Sequence, residues 1–458
     1  MFVKRFVVFT IISILAGCQS TREVESNPPR EVKNVILFIG DGMGPSFVKA
    51  YRMLKDNPKT EKVENILLDN FFVGTVRTDP LNDKNLLDEH SQDKYHSFTI
   101  TDSAASATAY ATGVKTLNGY LSLDENKETL PTILEASKRL GMSTGLVATS
   151  QLSHATPAAF ASHQESRKNH VDIVNQYIDS RYQGMPYIDV LLGGGKEYFV
   201  REDRNVAEEF RTLGYQLVTN KDELNSVNNG RMLGLFADSG LKMMLDRDSS
   251  TPSLADMTEA AINQLSSNEK GFFLMVEGSQ IDWAGHANDI VGAMSEMSDF
   301  EVAVSRAIDF AKKSGDTQVI VTADHSTGGL SIGSEVEGKS YYQWNSEVIR
   351  SFTRTPEDIA RKAALSGDLL SELKKYSKLN LSDREIKLLN QVDVEDTWAA
   401  RQAIMQIVDE QSYTGWTTKG HTATDVFLYA YGPASSQLVG NWDNTELAEF
   451  MFNLVNQQ

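Results

Sequence analysis

The chain has a single cysteine, Cys18, among 458 residues. No intramolecular disulfide can form, so stability must come from packing and bound ions. Basic residues are also in short supply, 44 Lys and Arg against 62 Asp and Glu, giving a formal charge of −18. A nucleic-acid polyanion needs a basic face along a long footprint, and this balance disfavours one, so no nucleic-acid binding surface is expected, although cations can reverse the field at a local site and let it hold phosphate. Long apolar runs are lacking too. The run from Phe6 to Ala16 falls short of the roughly 20 residues that span a membrane. With 41% apolar residues the chain is not globally disordered, and it shows no internal repeat or low-complexity tract.

Residues 1–17 combine Lys4 and Arg5, the apolar run and the small pair Ala16-Gly17, the pattern of an export signal. Leu15-Ala16-Gly17-Cys18 resembles the lipobox of bacterial lipoproteins, which implies a lipid on Cys18, a membrane anchor and an exported protein facing the periplasm or cell exterior. Residues 18–33, polar and carrying Pro28-Pro29, read as a tether.

The body alternates short apolar runs with helical patterns. Val35–Ile39, Thr144–Ala148, Ile188–Leu192, Phe272–Val276, Val319–Thr322 and Val426–Tyr431 predict strands, several apolar throughout as strands covered on both faces are. Helices are expected at Pro131–Leu140 and from about Ala287 to Lys313. The economical fold is α/β, a doubly wound, mostly parallel sheet flanked by helices, with a largely helical insertion over 334–420 before the last core strand. The core then comprises 34–333 and 421–458.

Several of these strands end on residues that bind metals. Asp41 follows VILFI in Ile39-Gly40-Asp41-Gly42-Met43-Gly44; Glu277, Asp282 and His286 follow FFLMV; Asp324-His325 follows VIVTA. In open α/β sheets the ligand crevice lies beyond the carboxyl ends of the strands, where residues distant in sequence converge. Asp282 and His286, four apart, face one ion if the turn between them is helical. Adjacent Asp324 and His325 are costly to bury unpaired, and ligation satisfies both. Ser103 opens an alanine-rich helical pattern, where helix potential and a nearby metal favour an alkoxide. Taken singly, Asp41 reads better as a turn cap, Ser103 as an N-cap, Arg167 as a solvated helix face and His421 as a structural or exposed histidine.

Together the motifs IGDGMG, TDSAASATAYATG, HATPAAFASHQESRK, EGSQIDWAGH, TADHSTGG and GHTATDV resemble, in order from about Val35 to Tyr431, those of the alkaline phosphatases. The resemblance implies hydrolysis of phosphate monoesters at a site with two zinc ions and one magnesium ion per subunit, through a covalent phosphoseryl intermediate on Ser103, usually in a homodimer. It implies one zinc on Asp282, His286 and His421, the other on Asp41, Asp324 and His325, and magnesium on Asp41, Thr156 and Glu277, with Arg167 gripping two phosphate oxygens. His154 and Trp283 depart from family members that carry Asp and Lys there, and agree with branches that carry His, and Trp or His. They imply that His154 sits behind the magnesium ligands and weakens that ion's hold, and that Trp283, near bound phosphate, lacks the charge a lysine would add, so product binding is weaker. His90, His96, His163 and His170 match no family role. Two rival readings are a phosphodiesterase or phosphotransferase of the same superfamily and a lipoprotein that binds metal without catalysis.

Overall fold

A computed structural model describes residues 31–57, 59–81 and 100–457; Cys18, His90 and His96 lie outside them. Ten strands form the central sheet: β1 (Asn34–Gly40), β2 (Phe72–Arg77), β3 (Ser143–Gln151), β4 (Val190–Gly194), β5 (Gln216–Val218), β6 (Met232–Leu235), β7 (Phe272–Gly278), β8 (Thr317–Ala323), β9 (Val426–Tyr431) and β10 (Gly440–Asp443). Their spatial order is β10-β2-β9-β8-β1-β7-β3-β4-β6-β5. All adjacent pairs are parallel except the two that β9 makes with β8 and β2. The strand at Val426 is therefore antiparallel, and it is not the last, since β10 follows it and pairs with β2. β10 was not legible because its four residues, Gly-Asn-Trp-Asp, carry no apolar run and lie at an edge.

β1, β7 and β8 are buried at every position, as strands sandwiched between helices must be. Helices Leu254–Leu265 and Ile290–Ser314 pack on each other over one side of the sheet, while Ser103–Thr112, Ala155–Ala161 and Asn444–Asn456 form a second group. Between 334 and 420 the described elements are the helices Ser346–Arg350, Pro356–Ser366, Leu369–Tyr376, Asp383–Gln391 and Thr397–Ser412 with two-residue ribbons, none joined to the main sheet. No helix among the described residues is long and apolar enough to cross a membrane.

What matters for the site is register. Gly40 pairs with Ala323 and Ile39 with Glu277, so Asp41 and Asp324 leave adjacent strands side by side with Glu277 beside them. After Asp41 the chain turns at Gly42 with φ +70°, and a side chain there would collide with Thr327 and Asp282. Glycine is required because the turn presses against the segments that carry the other carboxylates.

Candidate metal centre and nucleophile

Three clusters of ligand atoms meet at the carboxyl ends of β1, β7 and β8: Asp282 with His286 and His421, Asp41 with Asp324 and His325, and Asp41 with Glu277 and His154. In the first, the helix Gln280–Ala287 puts Asp282 and His286 one turn apart, with His286 Nε2 3.4 Å from Asp282 Oδ2. His421 arrives from far along the chain because His421–Thr422 pairs with Ser326–Thr327 in a short antiparallel ribbon. That ribbon, rather than the strand that follows, is what places His421.

Hydrogen bonding fixes how these histidines point. His286 Nδ1 lies 2.5 Å from the Lys419 carbonyl and His421 Nδ1 lies 2.8 Å from the Thr101 carbonyl, so each Nδ1 carries the proton it donates. Their Nε2 atoms, which then hold lone pairs, face each other at 3.1 Å. Two acceptors so close repel unless a cation lies between them. Thr327 donates to Asp282 Oδ1 at 2.5 Å and so accepts from His325 Nδ1 at 3.2 Å, which turns His325 Nε2 toward Asp324 Oδ2 at 3.1 Å and Asp41 Oδ1 at 3.5 Å. A metal-binding histidine characteristically donates its other nitrogen to such a partner, and all three do. Thr327 escaped sequence reasoning; its only signal was its place in TADHSTGG.

The third cluster is a set of buried oxygens without partners. Both carboxylate oxygens of Asp41, Glu277 Oε1 and Thr156 Oγ1 are buried and accept or donate no hydrogen bond, and His154 Nδ1 is likewise unpaired. Orphaned polar atoms in such number are costly unless an ion satisfies them, and an oxygen-rich set suits a hard cation. His154 Nε2 lies 3.1 Å from Arg167 Nη2 and accepts from it, which leaves the proton on His154 Nδ1 facing the cluster. In this tautomer His154 offers the cluster a donor at Nδ1 and no lone pair.

Electrostatics point the same way. Burial, with the charges of Asp282, Asp324 and Glu277, pushes Asp41 well above the usual carboxylate range, and burial pushes Glu277 up to about 7. Burial, then His325, brings His421 down to about 4, and burial, then Arg167, lowers His154. For Asp324 burial is outweighed by His325 and the hydrogen bonds it accepts, which hold it below the usual range. A carboxyl with a raised folded pKa keeps its proton while the unfolded chain releases one, so in the metal-free protein the Glu277 contribution to stability falls as pH rises from about 4.5 to about 7, while His421, held neutral down to about 4, contributes in the opposite direction up to about 6.5. Metal ions compete with those protons, so the loaded protein should gain stability over the same interval. The gap between the urea midpoints of loaded and chelated protein should therefore widen from the lower end of that range to the upper, and an unchanged gap would count against metal binding at these carboxylates.

Ser103 is the first residue of its helix, 1% exposed, with Oγ 3.1 Å from His325 Nε2. Asp102 caps the helix by accepting from Ala105 N at 2.9 Å. Ser106 and Tyr110 fasten the same helix to the Asp324 and Ala323 carbonyls, at 2.9 and 2.8 Å. Arg167 reaches this point from another segment, its Nη1 3.0 Å from Asp102 Oδ2. Asp102 is a second residue that sequence reasoning missed, since its capping role hid its ion pair. Trp283 stands edge-on to His154, ring centroids 6.0 Å apart, and packs against Gly240. His163, bonded to Ser122 O and Glu135, and His170, bonded to Ser153 O, lie outside the clusters in structural settings.

A buried serine hydroxyl beside three ion-ready clusters fits a metal-dependent hydrolase, and residues 32–457 match the family described as alkaline phosphatase. The chain belongs to the alkaline phosphatase family. It is 48% identical to alkaline phosphatase 3 of Bacillus subtilis over 440 residues, covering 95% of this chain and 92% of that one. Among solved structures, a cold-active alkaline phosphatase from a psychrophilic Shewanella matches with TM-score 0.82 at 40% identity, over 92% of this chain and 99% of that one. The TAB5 alkaline phosphatase, as a His-to-Glu variant with magnesium bound in its M3 site, matches with TM-score 0.66 at 26% identity, over 93% of this chain and 99% of that one. This alkaline phosphatase is accordingly a phosphoric monoester hydrolase of a metal-dependent family.

Proposed function

We propose that the enzyme hydrolyses phosphate monoesters through a covalent phosphoseryl intermediate on Ser103, at a centre holding two zinc ions and one magnesium ion. The observation that carries the reading is the shared orientation of His286, His325 and His421, each donating Nδ1–H outward and turning Nε2 toward carboxylates. Asp282, His286 and His421 suit one zinc, and Asp41, Asp324 and His325 the other. Asp41, Glu277 and Thr156 offer the oxygen set for magnesium, with His154 as an outer donor. The TAB5 relative holds magnesium in its M3 site when a histidine is replaced by glutamate, so a family member can take that ion. When bound, the ions neutralise four buried carboxylates that would otherwise repel phosphate, and lower the pKa of nearby hydroxyl groups.

Ser103 Oγ, its proton released to solvent, attacks phosphorus; the phosphorus–ester oxygen bond breaks and the leaving oxygen departs from the opposite side, taking a proton from water to become the alcohol. Arg167 receives the non-bridging oxygens, for which its planar fork is suited. Asp102 holds one arm of that fork and His154 the other, so the guanidinium is positioned before substrate arrives. Water then attacks the phosphoseryl group and Ser103 leaves, releasing inorganic phosphate. Because Trp283 stands where a lysine would add charge, replacing Trp283 with lysine is expected to strengthen product inhibition by phosphate, about tenfold for one added charge-assisted contact. An unchanged inhibition constant for phosphate would remove Trp283 from this role. We further propose, from the lipobox resemblance, that the protein is exported and anchored through lipid on Cys18.

Hydrolysis of an aryl phosphate monoester at alkaline pH tests the reading, measured before chelation, after it, and after return of zinc and magnesium. Activity lost and restored with the metals, and faster than on the matching diester, is the expected outcome; faster diester turnover would favour the phosphodiesterase reading.

A further inference from the structure

The edge of the sheet opposite the metal centre is where the parallel strands begin. Ser143 pairs with Phe272 and Val35 with Phe273, so the starts of β3, β7 and β1 lie side by side there. A cavity of about 440 Å³ opens on this edge, lined by Lys138, Arg139, Arg231 and Lys270 against one carboxylate, Asp189. In a chain of net charge −18 this is a local reversal of sign. Asp189 is already engaged, with Lys138 Nζ at 2.6 Å and Arg231 Nε at 3.0 Å. Arg139 donates to the Tyr187 hydroxyl at 3.0 Å and lies 3.8 Å from Glu135 Oε2, and Lys270 donates to the Leu140 carbonyl at 3.3 Å; neither contact uses all the N–H groups of its head, so both keep donors for a ligand. Glu269 and Asp316 lie on the same edge outside the cavity lining.

The chain enters the fold beside this cavity. Lys33 N donates to the Asp316 carbonyl at 2.8 Å, and the Lys33 carbonyl presses on Gly271, where a side chain would collide with it. Gly271 adjoins Lys270, whose side chain lies across Gly141. Cys18 is 15 residues before Lys33, a reach of at most about 50 Å. A chain tied to a bilayer at Cys18 is therefore held by the end that carries the cationic cavity.

We propose that this edge faces the membrane and that the Lys138, Arg139, Arg231 and Lys270 cavity receives the phosphate groups of anionic lipids. The proposal rests on the anchoring at Cys18 proposed above. Attraction between a cationic site and an anionic leaflet acts within about a Debye length, so it orients a protein that the anchor has already brought close. The seven residues of β1 then set the metal centre about 23 Å farther from the bilayer than the cavity, open to soluble monoesters.

The test uses the full lipidated chain in vesicles of phosphatidylcholine alone, or with about a third phosphatidylglycerol. A water-soluble amine reagent reports the exposure of each lysine, the N-terminal peptide mass reports lipid on Cys18, and aryl phosphatase activity reports an intact fold. Lys270 and Lys33 should react about fivefold more slowly on the anionic vesicles, the effect of about one basic residue held at an anionic surface. Lys419, next to the metal centre, should react equally on both, and the doubly substituted Arg139→Glu, Lys270→Glu protein should lose the protection at Lys33 while keeping activity. Equal labelling of Lys270 on both vesicles, with lipid present on Cys18, overturns the proposal alone. An N-terminal peptide without lipid overturns the anchoring and the proposal with it, and protection of Lys419 in place of Lys270 overturns the orientation.

Discussion

Replacing Ser103 with alanine is expected to lower kcat for an aryl phosphate by about three orders of magnitude or more, with metal content and folding unchanged. The side chain lost is one hydroxyl at a helix start, and the helix keeps its Asp102 cap and the Ser106 and Tyr110 bonds that fasten it to β8. No carboxylate or imidazole of the three clusters is touched, so the ions should still bind. What disappears is the acceptor of the phosphoryl group. Residual turnover should come from water attacking directly at a site that still orients phosphate, as happens when other hydrolases lose their nucleophile. Stopped-flow and steady-state rates beside total zinc and magnesium, measured on the same preparation, separate this result from simple unfolding or metal loss. A variant with full metal and more than about a tenth of the original kcat would show that Ser103 is not the nucleophile.

Removing the metals is expected to abolish turnover and also to weaken the fold. Without ions, four buried carboxylates remain in one region, with Asp41 unpaired at both oxygens and the His286 and His421 lone pairs opposed at 3.1 Å. An ion present at a thousandfold over its Kd contributes about 4 kcal/mol of stability, and more than one ion is proposed here. Chelation should therefore lower Tm by several degrees, and return of zinc with magnesium should restore both Tm and activity. His421→Ala ought to reproduce much of this at one cluster, because it removes a nitrogen ligand and the ring stacked on His325 at 3.5 Å. If chelated protein kept its Tm, the clusters would be satisfied without ions and the assignment would fail.

Much of the core was legible because its chemistry is local. β1, β7 and β8 are buried throughout and each carries a short apolar run followed or ended by a ligand residue, so strand and site could be read from one stretch of sequence. The helical turn that joins Asp282 to His286 was equally local. Elements set by distant partners were harder to read. β5 and β6 are three and four residues long and β10 is polar, so their pairing rather than their composition makes them strands. The antiparallel direction of β9 follows from where the 334–420 segment returns the chain, which no pattern in Val426–Tyr431 encodes. The same holds within the site. His421 depends on a two-residue ribbon, Thr327 on contacts to two ligands, and the protonated nitrogen of His154 on a bond from Arg167. These are tertiary facts about hydrogen bonding, and a sequence contains them only through the whole fold.

The most direct test is a single turnover of an aryl phosphate by the metal-loaded enzyme, quenched in acid and read by peptide mass. One phosphoryl group is expected on the peptide that begins the Ser103–Thr112 helix, localised to Ser103 and formed no more slowly than the alcohol is released. Turnover with no phosphorylated peptide, or with the phosphoryl group on another residue, would contradict the phosphoseryl mechanism on Ser103.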